Sequence, residues 1–228
     1  MNQLPATTAT PGVPMLRTLG LVAALSGLLV VLAHQLSLPL IEENRRIAIE
    51  QALFRVIPGA VTRRDFVISD AGLEALPAGV AGSGTHIYAG YAADGRLAGI
   101  ALEAAAQGYQ DVIRMLYSYA PDCACIRGIE ILKMAETPGI GDRIARDPDF
   151  LQNFVALDAR LDATGSGLAN AIVSVRHGSK TEPWQIDAIS GATISSQAVA
   201  RMLNNSAQQH LPRLLQQLEQ LQTTGAAP

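Results

Sequence analysis

The sequence predicts an α+β protein: a single N-terminal transmembrane helix followed by a domain of antiparallel strands covered by helices. Three observations lead there. Residues Thr18–Ile41 are 24 positions without a formal charge. Asp94-Gly95 sits between two β-prone runs, which is a hairpin signal. The order helix, strands, helix, strand, helix lacks the regular βαβ alternation that a parallel sheet requires.

As a helix, the uncharged stretch would reach about 36 Å at about 1.5 Å per residue, more than a hydrocarbon core of about 30 Å. Its most apolar part is Leu19–Ala33, and His34, Gln35 and Pro39 mark an exit through the interfacial layer. A cleavable signal peptide competes with an anchor, because Arg17 is the one cation before the apolar run. No A-x-A site follows, which favours an uncleaved anchor. His34 reads as a neutral histidine at the helix end rather than a proton-handling group. Arg45, Arg46 and Arg55 follow the span, so charge bias alone places the C-terminal bulk in the cytoplasm.

Glu42–Ile57 has the spacing of an amphipathic helix, with Ile49, Leu53 and Val56/Ile57 on one side, ending at Pro58-Gly59. A short strand over Asp65–Ile68 precedes a Gly/Ala-rich stretch to Gly84, expected to be irregular. Then come the hairpin around Asp94-Gly95 and strands over Asp111–Tyr119 and Cys125–Met134. Asp147-Pro148 is an N-cap and N1 pair opening a helix through Leu157. Ala171–Val175 is the last expected strand. A long helix runs from Ile194 to Gln222, with Val199, Leu203, Leu211, Leu214 and Leu218 on one side and a bend or interruption at Pro212. The chain therefore divides into an N-terminal segment (1–17), the span (18–41), the amphipathic helix and connection (42–84), the sheet domain (85–222) and a disordered tail (223–228).

Composition removes several function classes. Net charge is −3, with no Lys/Arg-rich block, so no nucleic-acid partner is expected. The only cysteines, Cys123 and Cys125, exclude a disulfide scaffold or a four-cysteine metal site. As strand residues two apart they would share a face; a direct bond there would be strained, so both read as structural or incidental, and no metal is expected. A G-x-S-x-G elbow and a zinc-spaced histidine pair are both missing, which argues against a hydrolase. Asn204-Asn205-Ser206 matches a glycosylation sequon but falls within the expected long helix.

The chemistry concentrates in Asp187-Ala188-Ile189-Ser190-Gly191-Ala192-Thr193, small residues and hydroxyls immediately before a helix. A helix N-terminus offers unpaired N–H groups and the positive end of the macrodipole, and Gly191 would let an anion approach closely. An ordinary capping loop, with Ser190 or Thr193 as N-cap, explains the same residues.

D-x-x-S-G-A-T resembles the flavinylation motif at which a transferase joins FMN through a phosphoester to the last threonine. It occurs in the family that includes the G subunit of the Rnf electron-transport complex and the C subunit of the sodium-pumping quinone reductase. Five specified positions would arise by chance in about one chain of this length in two thousand. A second resemblance is Glu136-Thr137-Pro138-Gly139-Ile140-Gly141-Asp142, which is similar to the family's E-T-P-G-[LI]-G segment. Short length, one span and compact motif spacing favour the Rnf G subunit.

The resemblance implies a membrane-anchored electron carrier in an ion-translocating oxidoreductase that couples electron flow between ferredoxin and NAD to cation movement. It implies covalent FMN on Thr193, with Asp187, Ser190, Gly191 and Ala192 as the transferase's recognition sequence. Glu136, Thr137, Gly139, Ile140 and Gly141 would lie along the flavin. The implied partners are the other subunits of the complex and the flavin transferase. The implied location is a bacterial inner membrane with the domain on the periplasmic side, against the charge bias. A stand-alone periplasmic flavin domain and a flavin-free anchored binding module are the alternatives. Gly108-Tyr109-Gln110-Asp111 departs from the Gly-Tyr pair followed by glycine that is common in the family; Tyr109 reads as a buried strand-end tyrosine or a ring beside the flavin. Trp184 reads as a packing residue.

Overall fold

Side chains that alternate between two faces let one sheet build two cores. In the computed structural model, which describes residues 12–69, 72–77 and 84–225, the strands are β1 (Thr62–Ser69), β2 (Gly72–Leu76), β3 (Thr85–Tyr91), β4 (Leu97–Gln107), β5 (Val112–Ala120), β6 (Cys125–Lys133) and β7 (Leu157–Asp158). They form one seven-stranded sheet in the order β2-β1-β3-β4-β5-β6-β7, antiparallel throughout. The chain divides after Arg46 into two compact units.

From Gly12 onward the N-terminal unit lies in α1 (Gly12–Val56), whose large apolar residues from Val13 to Ile41 are exposed except the half-buried Leu38. This helix is long and apolar enough to cross a membrane. The expected span and the expected amphipathic helix over Glu42–Ile57 run on as one helix, with Pro39 carried inside it. A proline removes one backbone hydrogen bond, and many others hold this 45-residue helix.

In the second unit, Ile49, Ala52, Leu53 and Val56 from the end of α1 pack with Ile57 on Tyr88, Ala101 and Leu116. Small residues make room for them. A Cβ on Gly90 or on Gly99 would fall 3.0 Å from Ile57 side-chain carbons, and one on Gly128 would fall 3.2 Å from the Val56 carbonyl oxygen.

The opposite face holds the larger core. Ile113, Met115, Tyr117 and Tyr119 of β5 and Ile100, Leu102 and Ala104 of β4 pack against α3 (Thr193–Gln216) through Val199, Leu203, Leu211 and Leu214. Tyr117 and Ser206 share a buried hydrogen bond of 2.9 Å, and Tyr91 donates to the Leu221 carbonyl at 2.9 Å in α4 (Leu218–Gly225). The sequon serine is therefore a core residue.

Several elements differ from the expectation. In the stretch after Ile68, Gly72–Leu76 form β2, which pairs with β1 so that Ser69 stands opposite Gly72 and Leu73 is buried; 70–71 and 78–83, where an irregular chain is expected, lie outside the described residues. The helix at Asp147-Pro148 has the expected cap, with Asp147 accepting from the Asp149 and Phe150 N–H groups. It lasts only one turn, α2 (Pro148–Leu151), and gives way to a 3-10 turn and then β7. The buried Asn153 side chain is recruited there by a remote strand, described below. A strand that no local sequence signal marks, β9 (Gln185–Asp187), pairs in parallel with β8 (Val173–Val175). Pro212 lies inside α3 without interrupting it; the break comes at Gln217, and Thr223–Gly225 are helical where a tail is expected.

Cys123 and Cys125 are joined in a disulfide. Cys123 lies in the turn before β6 rather than in the strand. Ala124 takes φ +49°, bringing the Cα atoms to 5.2 Å, within the ordinary range for a disulfide.

Gly128→Val should push β6 against the Val56 backbone, which cannot rotate away, and lower stability by about 1–3 kcal/mol in denaturant titration. Asp158 in β7 accepts from Arg160 Nε at 2.8 Å and Nη2 at 3.0 Å, and the guanidinium holds its carboxyl below the ordinary 3.8. A depressed carboxylate contributes stability above its unfolded value and loses it as pH falls through the folded one. The melting-temperature gap between wild type and Arg160→Met should therefore be full at neutral pH and shrink below 3.8.

Candidate functional site

The site grows from one buried carboxylate. Glu136 follows β6 and is 6% exposed. A buried charge needs hydrogen-bond partners, and it has them from two directions. Its Oε1 accepts from the Tyr109 N–H at 2.9 Å and the Gln110 N–H at 3.2 Å. Its Oε2 accepts the hydroxyl proton of Ser195, on the first turn of α3. The turn joining β4 to β5, closed by the Gly108 N–H donating to the Asp111 carbonyl at 2.9 Å, is thereby tied to a helix that begins far along the chain.

Glycines make this closeness possible. A Cβ on Gly108 would meet Glu136 Oε1 at 2.4 Å, and one on Gly141 would meet Glu136 Oε2 at 2.7 Å and Ser195 Oγ at 2.9 Å. Thr137 to Gly141 form a turn with Pro138 and then Gly139 at φ +77°, and the Thr137 carbonyl accepts from the Ile140 and Gly141 N–H groups at 3.1 Å each. Proline followed by a positive-φ glycine is the requirement of a type II turn. Gln110 Nε2 donates to Thr137 Oγ1 at 3.2 Å. Tyr109 is 64% exposed, so the expectation of a buried strand-end tyrosine is overturned: its backbone faces the carboxylate and its ring faces solvent.

The second motif forms a separate turn. The Ala192 N–H donates to the Ile189 carbonyl at 3.0 Å, and the Ser196 hydroxyl oxygen accepts from the Ile189 N–H at 3.1 Å. Gly191 has φ +84° and open space where a Cβ would point, so backbone conformation is what calls for glycine here. Neither Ser190 nor Thr193 caps the helix. The N-cap is Ala192, which brings no side-chain cap, and Thr193 is the first helical residue. The first-turn N–H groups thus lack an intrahelical acceptor, and an anion suits them.

Packing sorts the nearby hydroxyls. Ser195 and Ser196 are buried and engaged, whereas Ser190 and Thr193 are exposed. Both exposed hydroxyls line a cleft of about 580 Å³ with Val175, Arg176, His177, Gly191 and Gln197. Thr137, Gly139, Ile140 and Gly141 do not line that cleft. Glu136 joins their turn to the cleft's helix through Ser195.

Asp187 is held from both sides. Asn153 Oδ1 accepts from the Asp187 N–H at 2.9 Å, and Asn153 Nδ2 donates to the Asp187 carbonyl at 3.2 Å. The Asp187 carboxylate accepts from the Gly178 N–H at 2.7 Å and stands 3.5 Å from His177 Nδ1. His177 Nδ1 is also 3.1 Å from the Ala188 carbonyl oxygen. Lys180 Nζ donates to Asn153 Oδ1 at 3.1 Å; burial pushes this ammonium below its ordinary value while the Asp187 charge pulls the other way. Sequence alone does not single out Asn153, Arg176, His177 or Lys180, because no local spacing connects them to the motif.

Residues 108–208 match the family described as FMN-binding domain. The G subunit of the ion-translocating oxidoreductase complex of Methanosarcina acetivorans is 34% identical over 122 residues, covering 52% of this chain and 55% of that protein. The corresponding G subunit from Pasteurella multocida is 33% identical over 114 residues, covering 50% and 51%. The chain spans about half the length of the curated relatives it matches. The crystal structure of Shewanella oneidensis NqrC shares the fold, with a TM-score of 0.58 at 16% identity over 78% of this chain and 98% of that one. So does the C subunit of the Na(+)-translocating NADH-quinone reductase from Parabacteroides distasonis, with a TM-score of 0.58 at 21% identity over 81% and 96%. Residues 108–208 thus match the FMN-binding domain family, and over about half its length the chain is similar to the G subunits of ion-translocating oxidoreductase complexes.

Proposed function

We propose that this chain is a membrane-anchored electron carrier within an ion-translocating oxidoreductase complex, bearing FMN in phosphoester linkage to Thr193. The observation that carries the reading is the position of Thr193: an exposed hydroxyl on the first residue of α3, at the wall of the cleft, where the helix has no side-chain cap. The donor set fits the group. A phosphodiester keeps about one negative charge, which the first-turn N–H groups of α3 hold, and Arg176 on the cleft wall adds a cation. The cleft volume of about 580 Å³ also lies within the usual range for a cofactor site.

Bound FMN supplies the redox chemistry. The chain's residues hold and place it. Asp187, Ser190, Gly191 and Ala192 present Thr193 to the flavin transferase, with Asp187 fixed by Asn153 and by the Gly178 N–H. Glu136 ties the ETPG turn to α3 through Ser195, and Thr137, Gly139, Ile140 and Gly141, which stand outside the cleft itself, are assigned to the flavin by the motif's resemblance. The other subunits of the complex exchange electrons with it, coupling electron flow between ferredoxin and NAD to cation movement. Residues 18–41 of α1 form the single span, in a bacterial inner membrane, with the domain from 85 to 222 on the periplasmic side. A reporter fused at Pro228 tests that orientation; activity only in the cytoplasm would reverse it.

Expression with an active flavin transferase should add an FMN-sized mass to the peptide containing Thr193. Thr193→Ala should lose that mass entirely while melting at the wild-type temperature, because the side chain is exposed; Thr193→Ser should keep it. A flavin retained on the alanine variant would place the linkage elsewhere. Glu136→Ala should orphan the Tyr109 and Gln110 N–H groups and the Ser195 hydroxyl, lowering stability by about 2–4 kcal/mol in urea unfolding. Ser195→Ala removes one partner and should cost about 1–3 kcal/mol.

A further inference from the structure

The turn from β5 into β6 carries chemistry that the proposed flavin site does not use. Cys123 and Cys125 are bonded across one intervening residue. A loop this short gives a disulfide little unfolded-chain entropy to remove, so cross-linking is a weak reason for the bond. Ala124, between them, is the only non-glycine with positive φ among the described residues, at +49°, in a conformation that costs an L-residue free energy. Its carbonyl accepts from the Ala159 N–H at 3.1 Å, which ties the turn to the chain just after β7. The two cysteines differ in exposure: Cys123 is an exposed residue, whereas Cys125 is 4% exposed and paired in the sheet with Asp158. The turn lies at the opposite end of β5 and β6 from Gly108–Asp111. Strands of nine residues put it about 30 Å from Glu136, at about 3.3 Å per residue.

We propose that Cys123–Cys125 is a thiol–disulfide exchange site that accepts two electrons from a dithiol, with Cys123 as the sulfur attacked. A donor thiolate attacks Cys123 Sγ; the Cys123–Cys125 bond breaks, and Cys125 leaves as a thiolate that takes up a proton. The donor's second thiolate then attacks its own sulfur in the mixed disulfide and releases Cys123, which is protonated in turn. The donor dithiol ends as a disulfide and the cystine as two thiols, so two electrons and two protons are transferred. Reduction frees Ala124 to leave the left-handed region, which is the physical reason the bond is easily opened.

The test uses the full chain in detergent, equilibrated in reduced and oxidised dithiothreitol or glutathione buffers, quenched with N-ethylmaleimide and read by mass spectrometry of the Cys123–Cys125 peptide. The folded protein should pass from no adduct to two adducts within the range that glutathione reaches. A cystine that persists until the protein is unfolded, or two free thiols in the protein before reduction, would overturn the proposal. Ala124→Gly relieves the left-handed cost and should raise the reduced-to-oxidised ratio needed by about fivefold; no shift, or an easier reduction, would count against the backbone's role. With oxidised glutathione, Cys125→Ser should gain one glutathione on Cys123, and Cys123→Ser should gain at least about tenfold less, following exposure. Equal capture by both would overturn the assignment of Cys123.

Discussion

The carboxylate of Glu136 is the constraint on which the site's geometry depends. A buried charge is tolerated only where donors replace the water it has lost, and here they come from two parts of the chain remote from each other. Two are backbone N–H groups of the β4–β5 turn; the third is a hydroxyl on α3. To satisfy one side chain, the turn, the segment after β6 and the start of α3 must meet at hydrogen-bond distance. The glycines at 108 and 141 follow from that closeness, since a Cβ at either would occupy the carboxylate's space. What looks in sequence like a flavin-contacting ETPG motif thus begins with a residue whose observed work is to join elements.

The sheet imposes a second constraint of similar kind. Both of its faces are covered, by the end of α1 on one side and by α3 on the other. Alternation along β5 supplies Ile113, Met115, Tyr117 and Tyr119 to one core and Leu116 to the other. The α1 side is shallow, and Gly90, Gly99 and Gly128 keep it so. The α3 side is deep and is fixed in register by tyrosine hydroxyls that reach Ser206 and the Leu221 carbonyl.

Local signals carry far in this sequence. Asp94-Gly95 marks the β3–β4 hairpin, Asp147-Pro148 marks a helix start, and the 3.6-residue spacing of Val199, Leu203, Leu211 and Leu214 marks the buried face of α3. Each depends on residues close together in the chain, where turn and cap chemistry or periodicity decides. The features that are not legible depend on distant partners. β9 is three residues long and exists through pairing with β8. The helix at Pro148 stops early as Asn153 turns to the Asp187 backbone, 34 positions away. Tyr109 reads as buried from its place at a strand end, yet Glu136 binds its backbone and leaves the ring outside. A disulfide between Cys123 and Cys125 is unfavourable if both are extended, and one left-handed alanine removes that condition.

Packing also separates the hydroxyls that cluster around Gly191. Ser190, Thr193, Ser195 and Ser196 all surround the same glycine. Ser195 is committed to Glu136 and Ser196 to the Ile189 N–H, so both belong to the framework. Ser190 is exposed but sits on the turn before the helix, where the backbone bends through Gly191 at φ +84°. Thr193 alone combines exposure with a helical backbone, and it stands where the unpaired N–H groups of the first turn converge. A group attached there is fixed by the helix that Glu136 and Ser195 hold in place. On the proposed reading that fixity matters, because the position of a carrier's cofactor relative to the next carrier is part of what its protein supplies.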